Sequence, residues 1–256
     1  MTVAEGFRLT WRVFVLFCMT AVITAIGTVH SWFIPKEKHH IYAPAYFRAW
    51  AKMLLTVFSV KLDLAFETGA KPVGGQLVLS NHSSPLDIVI LAFVFQGRFL
   101  SQIEVRDWPV IGFAARMVGT IFVDRGNAVS GMKAMTEIRT QLKKPGPPVI
   151  LFPEAIASGG DKINRFRLGA FSAAKNTGIM VVPTGLAYPP GTEWIDETFA
   201  QHLRRVAVRS NGTVAVRVGA PYRLEDNPDE DAKIAHDKVQ ILVNRARTGL
   251  NEGQVM

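Results

Sequence analysis

The sequence is poor in cysteine: Cys18 is the single one among 256 residues, and it lies inside an apolar run. No disulfide can form within the chain, so a reducing compartment is permitted. The sequence also lacks zinc-finger, helix-turn-helix and RNA-recognition signatures, and its basic residues do not alternate with aromatic ones, which excludes the usual kinds of nucleic-acid partner. The net charge of +8 therefore favours an anionic membrane surface or anionic substrates.

Charged side chains are absent from Val13 to Pro35. As a helix this run would extend about 34 Å, enough to cross the hydrocarbon core of a membrane. A cleaved signal peptide could also begin with Arg8 and Arg12, but the run is long for one and no clear A-x-A cleavage site follows it. We therefore expect a retained membrane segment.

A second apolar segment, Ala43 to Val60, carries Arg48 and Lys52. Its uncharged part is too short to span a bilayer, so we expect it to lie at the interface with its basic side chains reaching water. Basic residues flank the first run on both sides, so they define no orientation; they are Arg8, Arg12, Lys36 and Lys38. A helical hairpin that enters one leaflet fits both flanks, and a simple spanning anchor stays open. Residues 1–60 are thus predicted to anchor the chain.

From Lys61 onward, short β-rich runs alternate with helix-like stretches. The runs are KLDLAF, QLVLS, TIFV, PPVILF, IMVVP and TVAVRVG. Asn227 and Pro228, followed by three acidic residues, form a strong helix start. This alternation predicts an α/β fold with a mostly parallel central sheet flanked by helices.

The stretch NHSSPLD places His82 and Asp87 directly after a predicted strand. Ser83 or Ser84 can cap the following helix, which leaves His82 in the turn at the carboxyl edge of the sheet. Asp87 could then bond one imidazole nitrogen and leave the other free to accept a proton. Taken alone, the pair is equally compatible with a structural histidine.

Three further strand ends carry polar or turn residues: Arg125 after TIFV, Glu154 after VILF, and Pro183 in MVVP. In a parallel sheet these positions could meet His82 at one edge. His39 and His40 have no accompanying ligand set, so we expect no metal site.

Four blocks in order resemble the 1-acyl-glycerol-3-phosphate acyltransferase family of glycerolipid acyltransferases. They match N-H-x-S-x-x-D, G-x-x-F-x-x-R, F-P-E-G-T-R and a final Val-Pro. The matching residues are Asn81, His82, Ser83, Asp87, Gly119, Phe122, Arg125, Phe152, Pro153, Glu154, Val182 and Pro183. The run FRLGAF, which contains Arg167, resembles the F-K-x-G-A-F that follows the third block.

The resemblance implies acyl transfer from acyl-CoA or acyl-carrier protein, as co-substrate, to the hydroxyl of a lysophospholipid. His82 would be the general base and Asp87 would orient it, with no metal and no further cofactor. Arg125 would bind an anionic acceptor group, and Glu154 would position the acceptor or its supporting loop. Backbone N–H groups from Ser83 to Asp87 would stabilise the oxyanion. The remaining substrate-binding residues would be Asn81, Ser83, Gly119, Phe122, Phe152, Pro153 and Arg167.

The resemblance also implies that residues 61–256 form the acyltransferase domain. That domain would act on the cytoplasmic side of the inner membrane, with the lipid bilayer as partner and 1-acyl-glycerol-3-phosphate as the first-choice acceptor.

The third block departs from the family pattern, because the chain has FPEAIAS where F-P-E-G-T-R-S is usual. Alanine at 155 restricts the turn, and the missing threonine and arginine remove a hydroxyl and a cation that would face a phosphate. Lys162, Arg165, Arg167 or Arg125 could replace that charge. Two alternatives follow: a different acceptor, such as lyso-ornithine lipid, or a non-catalytic membrane lipid-binding protein.

Overall fold

The computed structural model describes residues 2–35, 38–67, 76–144, 146–157, 159, 162–209 and 212–253. Two helices, α1 (Val3–Trp32) and α2 (His39–Val57), precede the sheet. The strands are β1 (Val60–Phe66), β2 (Leu77–Ser80), β3 (Arg98–Gln102), β4 (Ile121–Val123), β5 (Val149–Leu151), β6 (Met180–Ala187), β7 (Gly212–Val218) and β8 (Tyr222–Arg223). The other helices are α3 (Leu86–Phe95), α4 (Ile111–Met117), α5 (Ala128–Leu142), α6 (Gly169–Ala174), α7 (Phe199–Val208) and α8 (Pro228–Gly253), with a short 3-10 helix at Ile103–Asp107.

The strands form one sheet in the order β1-β7-β6-β2-β5-β3-β4, with β8 paired to β6. Every pairing is parallel except those of β6 with β7 and β8. This confirms the predicted α/β fold. Helix α8 begins at Pro228, as its start signal predicted. The sequence analysis missed β3 and the two-residue β8, because neither forms the run of buried apolar residues that marks β2 or β5.

The strand prediction at Pro183 was wrong in its end point. Strand β6 continues to Ala187, so Pro183 lies inside the strand, opposite Leu79 of β2. On the other side of β6, the pairing with β8 ends at Val181 and the pairing with β7 begins at Thr184. Proline lacks an N–H, and here it lies in the gap between those two pairings.

Each face of the sheet is covered by its own apolar cluster. One contains side chains of α2, α3 and α7, and the other contains side chains of α5, α6 and α8. Strand β2 is buried throughout, which suits a central strand covered on both faces. The carboxyl end of β2 is therefore fixed by packing on both faces. The stretch NHSSPLD follows it directly and forms the turn into α3.

Helices α1 and α2 form the predicted helical hairpin. The Trp50 indole donates to the Thr20 hydroxyl at 2.9 Å, and the Tyr46 hydroxyl lies 2.7 Å from Nδ1 of His30, so the two helices run in opposite directions. Helix α1 is long and apolar enough to cross a membrane. Lys36, one of the flanking basic residues, lies outside the described residues.

The amino-terminal part of α1 is bonded to the end of α7. Arg8 donates to the Val208 carbonyl at 2.8 Å, and the buried Arg12 donates to the carbonyls of Ala207 and Arg209. The last carbonyls of a helix have no partner within the helix, so these guanidinium groups satisfy them.

Helix α2 differs from its prediction as an interfacial helix. Its apolar residues Ala51, Leu54 and Leu55 are buried in the cluster that includes α3, so they pack on protein. Arg48 and Lys52 are exposed, and Arg48 lies over the ring of Phe93 at the margin of that cluster. The division of the chain at residue 60 stays a prediction, with the qualification that α2 shares the core of the sheet.

Candidate active site

The turn after β2 brings His82 and Asp87 together. Nδ1 of His82 lies 2.8 Å from Oδ2 of Asp87, the predicted pairing. Asp87 is 0% exposed, whereas the His82 side chain is 17% exposed. Because a buried carboxylate accepts from Nδ1–H, the neutral ring presents the lone pair of Nε2. No described residue is hydrogen-bonded to Nε2, so this nitrogen can accept a proton from a substrate.

Asp87 is held by three further donors. Its Oδ2 accepts the backbone N–H groups of Ser83 at 2.6 Å and Ser84 at 3.0 Å, and its Oδ1 accepts the Tyr188 hydroxyl at 2.5 Å. Burial, and then the Asp87 charge, raise the pKa of Tyr188 well above its usual value, so the phenol keeps its proton and remains a donor. The carboxylate is thus fixed in the orientation that points Oδ2 at His82.

These bonds contradict the prediction that backbone N–H groups from Ser83 to Asp87 stabilise the oxyanion. The N–H groups of Ser83 and Ser84 are used by Asp87, that of Leu86 donates to the Ser84 hydroxyl, and that of Asp87 donates to the Ser84 carbonyl. Each is satisfied inside the turn, two by the Asp87 carboxylate and two by Ser84. They are therefore not available to an oxyanion.

Two residues after β5 contact His82 directly. The Phe152 ring stacks on the imidazole with centroids 4.3 Å apart and planes 17° apart, which fixes the ring plane. Glu154 accepts the backbone N–H of His82 at 2.9 Å through Oε1 and that of Asn164 at 2.7 Å through Oε2. Of the two roles expected for Glu154, the geometry favours support of the loop, since both carboxylate oxygens are bonded to backbone.

Asn81 and Ser83 join the turn to neighbouring elements. The Asn81 amide exchanges hydrogen bonds with the backbone of Leu186, at 3.0 and 2.8 Å. The Ser83 carbonyl accepts the N–H of Trp194 at 2.8 Å. Both residues are buried, so they shape the turn, and a direct contact with substrate stays a prediction.

Arg125, two residues after β4, and Arg167, two residues before α6, provide exposed positive charge. Burial lowers the pKa of the Arg125 guanidinium, the charge of Arg167 lowers it further, and the charge of Glu104 acts in the opposite direction. An arginine remains charged despite such shifts. Within the described part of the chain neither side chain makes a hydrogen bond or a salt bridge, and the two charges are near enough to act on each other.

The other predicted residues lie at different places. Gly119 precedes β4 at the amino edge of the sheet, the opposite edge from His82, and its added Cβ would lie 3.1 Å from Nε of Arg98. Phe122 lies within β4, which is separated from β2 by β3 and β5. Pro153 is buried, and its carbonyl accepts the N–H of Arg167 at 2.8 Å. The structure therefore brings Pro153 to the site and keeps Gly119 away from it.

Ala155 has a φ of +67°, the left-handed conformation that favours glycine. The family pattern has glycine at this position, where a left-handed backbone causes no clash. In this chain the Cβ of Ala155 makes the same conformation less favourable by about 1–2 kcal/mol.

Tyr188 and His202 belong to the site and were not found from the sequence. Tyr188 bonds Asp87 from the end of β6, and Nε2 of His202 lies 3.0 Å from the Ser84 hydroxyl. Tyrosine at the carboxyl end of a strand next to β2 was the available signal for the first. No sequence pattern links His202 to a turn 118 residues earlier.

Comparisons with known proteins identify the family of the chain. A family model described as acyltransferase matches residues 65–187. A lyso-ornithine lipid O-acyltransferase from Brucella abortus is 30% identical over 195 residues, which cover 68% of this chain and 73% of that protein. A 1-acyl-sn-glycerol-3-phosphate acyltransferase from Haemophilus influenzae is 24% identical over 174 residues, covering 67% and 71%.

The fold is also that of a solved structure. The crystal structure of the 1-acyl-sn-glycerophosphate (LPA) acyltransferase PlsC from Thermotoga maritima superposes with a TM-score of 0.75 at 19% identity, over 95% of this chain and 96% of that one. With the Brucella relative and the matched family model, the conclusion follows: the chain belongs to the acyltransferase family that contains the 1-acyl-sn-glycerol-3-phosphate and lyso-ornithine lipid acyltransferases.

Proposed function

We propose that the protein transfers a fatty acyl group from acyl-CoA or acyl-carrier protein to the free hydroxyl of a lysophospholipid. The observation that carries this proposal is the 2.8 Å bond between His82 and a buried Asp87, with the other imidazole nitrogen open to substrate. An intact pair of this kind argues against a non-catalytic lipid-binding role.

His82 takes the proton of the acceptor hydroxyl at Nε2 as the oxygen attacks the thioester carbonyl. Asp87 holds the Nδ1–H tautomer and stabilises the imidazolium that forms. As the tetrahedral intermediate collapses, the carbon–sulfur bond breaks and the thiolate takes the proton back from His82. The products are the acylated lipid and the free thiol, and His82 returns to its neutral form.

The leading acceptor is 1-acyl-glycerol-3-phosphate, giving phosphatidic acid. Two arginines without protein partners among the described residues, Arg125 and Arg167, supply the charge that the altered third block lacks. A phosphomonoester can bond both guanidinium groups at once. Lyso-ornithine lipid is the second candidate, because relatives of that name match the chain and the third block departs from the phosphate pattern. Its head group carries one carboxylate and one amine, so it needs less positive charge.

The hairpin is proposed to lie in one leaflet rather than to span the bilayer. Helix α1 is bonded to α7 through Arg8 and Arg12, and to α4 through Thr28, whose hydroxyl lies 3.2 Å from the sulfur of Met117. These attachments are about 30 Å apart along the helix, nearly the full thickness of a hydrocarbon core. Because α1 is attached to the same domain at both ends of that length, it cannot separate from the domain to cross the membrane.

The free side of α1 is apolar and suits contact with lipid chains. Its exposed side chains recur every three or four residues over much of the helix, namely Phe7, Trp11, Phe14, Val22, Ile26 and Val29. Both thioester donors are cytoplasmic molecules, so we place the active site on the cytoplasmic side of the inner membrane.

The test is a thioester-release assay on the full-length protein in vesicles, with a panel of lysolipid acceptors. His82→Ala should lose about 10²–10⁴-fold in turnover while its membrane binding is unchanged. Near-normal turnover by His82→Ala would refute the assignment of the base.

The acceptor is decided by competition between lysophosphatidic acid and lyso-ornithine lipid. Arg125→Ala and Arg167→Ala should each weaken use of the phosphate acceptor about tenfold or more, since a charge-assisted hydrogen bond contributes about 1.5–3 kcal/mol. Thioester affinity should change little. Lys175→Ala, on an exposed lysine directly after α6 that was given no binding role, is the matched control. A wild-type preference for lyso-ornithine lipid, unaffected by either arginine variant, would replace the leading acceptor and leave the chemistry in place.

A further inference from the structure

A second chain of hydrogen bonds lies behind the His82–Asp87 pair. Nδ1 of His202 lies 2.7 Å from Oε1 of Glu197, and Nε2 of His202 lies 3.0 Å from the hydroxyl of Ser84. His202 is 2% exposed and Ser84 is 0% exposed, so neither can meet a substrate. The arrangement joins helix α7 to the catalytic turn.

The protonation of this chain follows from its members. Glu197 is bonded to the guanidinium of Arg205, which lowers the pKa of the Glu197 carboxyl and keeps it an acceptor. Nδ1 of His202 must then carry the proton in their 2.7 Å contact, although a terminal guanidinium nitrogen of Arg205 also lies 3.1 Å from Nδ1. Burial lowers the pKa of His202, so the ring is neutral and Nε2 is an acceptor. The Ser84 hydroxyl therefore donates to His202.

Ser84 is the point at which the two chains meet. Its hydroxyl oxygen accepts the N–H of Leu86 at 3.3 Å, at the start of α3. Its own backbone N–H donates to Oδ2 of Asp87 at 3.0 Å, the same oxygen that holds His82. Fixing the Ser84 side chain thus fixes one of the donors that orient the catalytic carboxylate.

We propose that His202 is a positioning residue for acyl transfer, which holds Ser84 by a hydrogen bond and through it the orientation of Asp87 and His82. The inference rests on the proposed role of His82 as the base. His202 contacts neither substrate, so its loss should act on the chemical step and leave binding unchanged.

The experiment compares three variants of the full-length enzyme in lipid vesicles. His202→Phe keeps the ring volume and removes both hydrogen bonds. His202→Gln places an amide oxygen near the position of Nε2, where it can still accept from Ser84. Ser84→Ala removes the donor itself. His236→Gln, on a histidine of α8 that bonds the Ile163 carbonyl, is the matched control.

We expect kcat to fall about 10²-fold in His202→Phe and Ser84→Ala, the effect of a small misplacement of catalytic groups, with KM for donor and acceptor unchanged. His202→Gln should recover most of the lost kcat, and His236→Gln should behave as wild type. In the Ser84→Ala background, His202→Phe should have no further effect, since the bond it removes is already absent.

Four results would overturn the proposal: normal kcat in His202→Phe, normal kcat in Ser84→Ala, an equal loss in His202→Gln and His202→Phe, or additive losses in the double variant. If His202→Phe does not fold, Ser84→Ala and His202→Gln still decide the matter, because the proposal requires a loss in the first and near-normal kcat in the second. His82→Ala separates the two hypotheses. Turnover that survives His82→Ala refutes the base assignment, whereas a dead His82→Ala beside a normal Ser84→Ala refutes the role of His202 alone.

Discussion

Asp87→Asn isolates the charge of the carboxylate that is proposed to orient His82. In a serine-protease triad the same change traps the histidine in the wrong tautomer. Here three donors converge on Oδ2, from His82, Ser83 and Ser84, so the amide oxygen of the introduced asparagine should occupy that position. The amide NH₂ group then faces the Tyr188 hydroxyl, which can rotate to accept it. The variant should therefore keep the Nδ1–H tautomer and lose only the negative charge.

The magnitude follows from the distance between the charges. With Nδ1 and Oδ2 2.8 Å apart, the centres of the imidazolium and carboxylate charges are separated by about 4 Å, where their attraction is about 4 kcal/mol at an effective dielectric constant of about 20. That interaction exists only once His82 is protonated in the transition state. Its removal should lower kcat about 10³-fold, since each 1.36 kcal/mol corresponds to about a factor of ten. Asp87→Ala should lose at least as much, because it also strands the Tyr188 hydroxyl and two backbone donors.

Two measurements check this account. Single-turnover kinetics with a radiolabelled thioester gives the change in the chemical step, and ¹⁵N NMR of histidine-labelled protein identifies the tautomer of His82. A loss of less than about tenfold would show that the carboxylate charge is not used, on the same free-energy scale. An Nε2–H tautomer in Asp87→Asn would refute the orientation derived from the three donors.

The remaining predictions concern stability and membrane contact. Ala155→Gly should relieve left-handed strain and stabilise the fold by up to about 1 kcal/mol, seen as a higher midpoint in urea unfolding; a lower midpoint would contradict it. Glu154→Gln should destabilise by about 1–3 kcal/mol, because one of its two backbone donors loses its acceptor, and an unchanged melting temperature would count against that bond. Trp11→Gln with Phe14→Gln should weaken vesicle binding in flotation assays, with Met132→Gln, an exposed apolar residue of α5, as the control; equal binding would exclude this face from lipid contact. Burial lowers the pKa of His202, so the unfolded chain binds the extra proton and stability should fall as pH drops below about 6.5, a loss that His202→Gln should reduce; parallel curves would contradict it.

The sequence predicted the parts of the fold that depend on local patterns. Buried strands such as β2 and β5 are short apolar runs, and α8 has a start signal built from adjacent residues. Strand β3 was missed because only its second residue, Phe99, is buried. The end of β6 was misplaced because a proline was expected to end the strand. Pro183 is tolerated inside β6 because the pairing with β8 ends before it and the pairing with β7 begins after it, and the sequence of β6 alone does not contain this information.

The sequence indicated only the part of the candidate site that lies within one turn. His82 and Asp87 are five residues apart, and the turn alone brings them into contact. The support for that turn comes from distant positions: Glu154 after β5, Tyr188 after β6 and His202 on α7. Their contacts require the strand order of the sheet, which no local pattern contains. Gly119 shows the converse, because a glycine of a matched block lies at the other edge, where its φ of +76° favours glycine.

The attachment of α1 to the end of α7 has a consequence for any attempt to make a soluble enzyme. Cutting away the hairpin would leave the carbonyls of Ala207, Val208 and Arg209 without the guanidinium groups of Arg8 and Arg12, on the same helix that carries His202. It would also uncover the face of the sheet on which Leu54 and Leu55 pack. The shortest chain that keeps this site therefore includes α1 and α2, and solubility has to be gained by replacing the apolar side chains that α1 exposes.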